Sequence, residues 1–340
     1  MIIKASKLTR RLVCSAFLAT LAVAAQSGSA FAEQFKIGLV LDKGGKDDKS
    51  FNSAAFLGAT KAEKEFKIQL KVVEATDDNA FEPLLRAFVQ KKFDLIIAVG
   101  FAQAEALTKI SKAYPDVKFA IVDSEVKAAN VRSMLFEEHE GSFLVGAIAG
   151  LKTKTNKLGF IGGMDIPLIR RFQMGYEAGA KHVNPKAQVI SNYVGVTGDA
   201  WNNPPKGKEL ALSQYNAGAD IVFGAAGASG RGLFDAAEEK KLFAIGVDSN
   251  QNWIKPGLVL TSMLKRVDVA VYNACRDAQS GKFTGGLQRF GLSNEGVDFA
   301  LDANNEKLLD KATLEKVRAL KADIISGKVK VPDYYKKDAK

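Results

Sequence analysis

The sequence predicts an α/β protein made of two doubly wound, mainly parallel sheets in tandem. Short apolar runs alternate with stretches of helical periodicity, the pattern of repeated right-handed βαβ units. The alternation then restarts near residue 157, as a second sheet would. The composition is also ordinary, with 47% hydrophobic and 25% charged residues over 340 positions, enough chain to bury one large core or two medium ones.

In the first half, strands are expected at 35–41, 68–74, 94–99 and 118–122, with helices at 53–66, 79–91 and 102–113. Each strand is a compact apolar run such as Leu95-Ile96-Ile97-Ala98-Val99, bounded by turn formers. Between the first strand and the first helix, Asp42-Lys43-Gly44-Gly45 makes a turn and Asp47-Asp48-Lys49-Ser50 an N-cap region. Phe51 and Asn52 then fall in the first helical turn, where Phe51 either faces a cleft or packs in the core.

In the second half, strands are expected at 157–161, 188–193, 220–223, 243–247 and 258–262. The helices are expected at 167–182, 205–217, 229–240 and 267–281. The expected division is an N-terminal lobe at 33–150 plus about 249–283, a C-terminal lobe at 151–248 plus about 284–330, and a tail at 331–340.

Residues 1–32 read differently. Lys4, Lys7, Arg10 and Arg11 precede an apolar run at 12–25 and an Ala30-Phe31-Ala32 cleavage site, the layout of a cleaved secretory signal peptide. Cys14 lies within it, with no apolar run or small residue before it, so a lipid anchor is not expected and the mature protein is expected to be periplasmic. Cys275 is then alone and no intrachain disulfide is available. Without the four basic residues of the leader, 44 Lys and Arg face 38 Asp and Glu, a net charge of +6. These charges are scattered, with no basic stripe interleaved with aromatics, so nucleic acid is not an expected partner.

In open α/β sheets ligands bind beyond the carboxyl ends of the strands. Asp42, Gly100-Phe101 and Asp123 occupy such positions in the first half, and Gly227 and Asp248 in the second. The glycine-rich run 224–232 opens a helix whose N–H groups suit an oxygen-rich ligand. It matches neither a dinucleotide fingerprint nor a Walker loop. His139 and His182 lie in different segments, which argues against a zinc set, and no G-x-S-x-G elbow is present. No catalytic residue, metal or cofactor is expected.

Several motifs resemble the basic membrane protein family, which includes the purine nucleoside receptors of ABC importers. They are Asp47-Asp48-Lys49-Ser50-Phe51-Asn52, the run 137–146 (EEHEGSFLVG), 160–165 (FIGGMD), 171–176 (RFQMGY), 246–251 (GVDSNQ) and 260–266 (LTSMLKR). The resemblance runs from about Lys36 to Phe299. It implies a type I periplasmic-binding-protein fold, a nucleoside in the cleft, permease subunits as partners, and a monomer that is not an enzyme. It also implies roles: Asp42 at the base edge, Phe51 stacked on the base with Asn52 beside it, and Asp123 as a further polar contact. Asp248 and Lys265 would hold the ribose hydroxyls, assisted by main chain around Gly227 and Ser229. Where the family places a Phe-Asn-Asp-Pro-like segment, this chain reads Ala200-Trp201-Asn202-Asn203-Pro204. Trp201 is thus either the second aromatic platform or a loop residue on the lobe surface. A sugar receptor of the same fold is the alternative reading.

Overall fold

The computed structural model describes residues 34–336; the expected signal peptide, Cys14 and residues 337–340 of the expected tail lie outside the described residues. The inner apolar runs such as Leu95–Val99 form strands buried on both faces, as parallel sheets require, while the edge run Gln69–Glu74 is partly exposed. The first half contains β1 (Lys36–Leu41), α1 (Phe51–Phe66), β2 (Gln69–Glu74), α2 (Phe81–Gln90), β3 (Leu95–Val99), α3 (Ala104–Ala113) and β4 (Lys118–Val122). Two further elements follow where none was assigned from the sequence, β5 (Val131–Phe136) and α4 (Glu138–Lys152). Then come β6 (Lys157–Met164), α5 (Pro167–Val183), β7 (Gln188–Gly195), α6 (Pro204–Asn216), β8 (Ile221–Ala225), α7 (Arg231–Lys240) and β9 (Phe243–Asp248). The chain closes with β10 (Val259–Lys265), α8 (Val267–Gln279), β11 (Gly286–Phe290), β12 (Val297–Phe299) and α9 (Lys311–Ile325).

Two six-stranded sheets result, ordered β11-β5-β4-β3-β1-β2 and β12-β10-β9-β8-β6-β7. The pairings are parallel except that of β10 with β12. Helix pairs cover both faces: α1 with α8 and α2 with α3 on the first sheet, α4 with α5 and α6 with α7 on the second. This is the two-lobed type I periplasmic-binding-protein architecture.

The strand partners correct the expected lobe boundaries. Segment 249–283 divides, because β10 pairs with β9 in the second sheet while α8 packs on α1 in the first lobe. Segment 284–330 divides as well, with β11 beside β5 and β12 beside β10. Among the described residues the chain therefore crosses between lobes three times, at 136–138, 265–267 and 290–297. These crossings are tied together: the Glu137 N–H donates to the Phe290 carbonyl at 2.8 Å, and the Arg266 N–H to that of Gly296 at 2.8 Å. The expected tail is docked as far as residue 336, with Asp333 bonded to Arg171 of α5.

Helices α4 and α5 approach backbone to backbone. A Cβ on Gly179 would lie 1.9 Å from the Phe143 carbonyl oxygen, and one on Gly146 would lie 2.1 Å from that of Tyr176. Only glycine permits that separation. Among the described residues, no helix is long and apolar enough to cross a membrane.

Candidate ligand-binding cleft

In each sheet the order of connection reverses beside the first strand of the lobe: β1 lies between β2 and β3, and β6 between β7 and β8. Crevices at the carboxyl ends of such strands are where doubly wound sheets hold ligands. The two crevices share one cavity, with about 560 Å³ of space between atoms that includes its opening to solvent. It is lined from the first lobe by Asp42, Phe51, Asn52, Phe101 and Asp123, and from the second by Trp201, Gly227, Asp248 and Lys265.

Eight of the nine residues expected at the site therefore line one space. The exception is Ser229, which is fully buried; its hydroxyl donates to the Ala200 carbonyl at 2.7 Å and accepts the Asn203 N–H at 2.6 Å. Its hydroxyl thus ties the loop bearing Trp201 to the turn after β8. Asn52 is also largely committed, accepting the Asp42 N–H at 3.1 Å and donating to Asp48 at 3.1 Å.

Sequence reasoning did not single out Asp48, Leu168, Ile169 or Phe172 as site residues, and all four line the cavity. Asp48, rather than Ser50, caps α1: its carboxylate accepts the N–H groups of Ser50, Asn52 and Ser53 at 2.8–3.0 Å. The α5 residues form an apolar wall at spacings of one, three and four, which in the sequence could only be read as a core stripe.

Trp201 is seated by the glycine of β6 opposite it. A Cβ on Gly163 would fall 2.1 Å from its ring, so the indole lies flush against the strand. Its ring meets Phe101 of the other lobe edge-on, with centroids 6.3 Å apart. At the rim, Lys43 Nζ lies 3.3 Å from Asp78 and 4.0 Å from Asp199 across the mouth.

The polar half is strongly perturbed. Asp123 and Asp248 stand at the ends of β4 and β9, both at positive φ (68° and 63°), a region Asp tolerates better than most residues. Lys265 Nζ lies 2.6 Å from Asp123 and 3.2 Å from Glu138. Burial alone would pull its ammonium down, but Asp123, Glu138 and Asp248 outweigh it and hold it above the ordinary lysine value. Burial pushes Asp248 up to about 7, although Lys265 and the Ser50 hydroxyl favour its charged form. Asp42 is pushed up to about 6, again by burial, against a bond from the Lys43 N–H. The second oxygen of Asp123 is buried without a partner. A buried acceptor left bare costs about 1–3 kcal/mol, which a hydroxyl or N–H of a ligand would recover.

Among the described residues, one trio could ligate a metal: Glu137, His139 and Asp333. Arg171 already fills its centre, donating to Glu137 at 2.6 Å and Asp333 at 2.8 Å, with His139 Nδ1 at 2.9 Å from its Nη2.

Residues 35–334 match the family model of ABC transporter substrate-binding proteins that are PnrA-like. The chain belongs to that family. It is 34% identical to the ABC transporter nucleoside-binding protein BmpA of Lactococcus lactis, over 87% of this chain and 89% of the relative. Basic membrane protein A of Borreliella afzelii is 33% identical over 87% of this chain and 91% of its own. Among solved structures, a solute-binding protein of an ABC transporter system from Aeropyrum pernix superposes with a TM-score of 0.80 at 31% identity, over 88% of this chain and 94% of that one. A small-molecule ligand and transporter permease partners follow from the family. The expectation of a periplasmic protein without a lipid anchor is overturned: relatives from three Pyrococcus species, 33–34% identical, are named lipoproteins. That expectation rested on how Cys14 sits among its neighbours, which lie outside the described residues.

Proposed function

We propose that the cleft captures a nucleoside and that the chain, as a monomer, presents it to the permease without changing it chemically. One observation carries the reading: aromatic rings from both lobes and a carboxylate–lysine set line the same cavity. Phe51 and Trp201 offer π-faces to a base, and such stacking contributes about 1–3 kcal/mol per ring. Asp123 and Asp248 accept bonds from vicinal hydroxyls, Lys265 donates one, and Asp42 takes an N–H of the base edge. The main chain at Gly227, at φ 56°, approaches the ligand beside Trp201. The name of the Lactococcus relative supports the same ligand class.

Closure of the lobes about the three crossings would seal the ligand from water, the hinge motion of two-lobed receptors. Titration calorimetry of the unliganded protein with inosine, adenosine, guanosine, cytidine and D-ribose tests the proposal. Saturable one-to-one binding of a nucleoside is expected. Binding of ribose with indifference to every nucleoside would replace the reading with a sugar receptor. Chromatography of the ligand after incubation should return it unchanged.

A further inference from the structure

A chain of buried charges leads away from the cleft. Asp123 ends β4 in the first lobe, Lys265 ends β10 in the second, and the two side chains are 5% and 2% exposed. Behind Lys265 stands Glu138, 1% exposed, at the first crossing between lobes. One of its oxygens faces Lys265 Nζ at 3.2 Å, and the other accepts from Arg171. Arg171 in turn donates to the Phe136 carbonyl at 2.5 Å and to Asp333 at 2.8 Å.

We infer that Glu138 and Arg171 are positioning residues for ligand capture. They fix the Lys265 ammonium at the cleft wall, although neither lines the cavity. The physical need is clear. A lysine stem has four rotatable bonds, and a buried ammonium must be held by charge and hydrogen bonds to keep one place. The ring centroids of Phe51, Phe136 and Phe172 lie 5.1–5.5 Å from Nζ and surround it with apolar surface. Glu138 supplies the second anion. Burial raises the Glu138 carboxyl, and the positive charges of Lys265 and then Arg171 oppose that rise. Arg171 is itself fixed by the crossing carbonyl and by the docked C-terminal segment. Asp123 and Lys265 come from different lobes and Glu138 stands at the first crossing, so the same chain of charges runs from the hinge region to the donor that meets the ligand.

The test has a ligand-free arm and a ligand arm, the second resting on the nucleoside reading. In the first, solvent exchange of the Lys265 ammonium protons is followed by nitrogen NMR at neutral pH in wild type, Glu138→Gln and Arg171→Lys. Glu138→Gln keeps the shape of the side chain, and Arg171→Lys keeps the charge but not the fork. Exchange is expected to quicken tenfold or more in Glu138→Gln and less in Arg171→Lys. Unchanged exchange in both would overturn the inference. In the second arm, calorimetry with inosine should show roughly tenfold weaker binding by Glu138→Gln, and wild-type affinity in that variant would also overturn it. A wild type that binds no nucleoside defeats the functional proposal alone, because the exchange measurement still decides whether the pair holds Lys265.

Discussion

Ligand affinity should depend on pH through Asp248, and the structure sets the size of the effect. The Ser50 hydroxyl occupies Oδ2 of this carboxylate, leaving Oδ1 for a ligand hydroxyl. The charged form is the acceptor, yet burial holds the unliganded group at about 7. A carboxyl raised in the free protein must lose its proton on binding, so affinity rises with pH and levels off above about 7. Two units below, at pH 5, about 1% of the group is ionised, and affinity should be roughly 100-fold weaker, or about 2.7 kcal/mol. Asp42, at about 6, adds up to roughly another tenfold at pH 5 if its charged form also binds. His139 contributes nothing across this range, because burial and the neighbouring Arg171 hold it down to about 4 and neutral. Calorimetry with inosine from pH 5 to 8, on wild type and Asp248→Asn, measures the effect. Asp248→Asn should bind more weakly at pH 8 and lose the dependence between pH 6 and 7, keeping only the Asp42 component below. A flat wild-type profile, or an unchanged slope in the variant, would refute the assignment of Asp248 as a charged acceptor.

Other outcomes follow from the same geometry. Phe51→Ala and Trp201→Ala should each weaken nucleoside binding by about 1–3 kcal/mol in calorimetry, without a comparable loss for ribose. A nucleoside 5′-monophosphate brings roughly −1.5 to −2 charge into a cavity with four aspartates and one lysine; competition assays should show it at least tenfold weaker than the nucleoside. Gly179→Ala should lower stability by roughly 1–3 kcal/mol in denaturant unfolding, because its Cβ would strike the Phe143 carbonyl at 1.9 Å.

The alternation of strands and helices was legible in helices with one wet face such as α1 and α2, although α9, which also has one wet face, was not assigned. It failed at α4, where Gly141 to Gly150 are buried without interruption, so no amphipathic period survives. The lobe exchange of β10 and α8 was also illegible, since strand partners at that distance leave no local pattern. Within the cleft, aspartates following strands were readable as site candidates because topology alone places them there. The roles of Ser229 and Asn52 were not, because a short polar side chain in a loop serves either a ligand or the backbone beside it. Glu138 and Arg171 carried a signal in the motifs 137–146 and 171–176, but their pairing depends on the packing of α4 against α5.

Tryptophan fluorescence tests directly whether a base stacks on Trp201 inside the cleft. The chain has two tryptophans, and Trp253 is 55% exposed and outside the cleft lining. In a Trp253→Phe variant, the emission therefore comes from Trp201 alone. Titration with inosine should change that emission saturably, with the same midpoint that calorimetry gives, and ribose should leave it unaltered. Inosine that binds by calorimetry while the Trp201 emission stays constant would contradict the account.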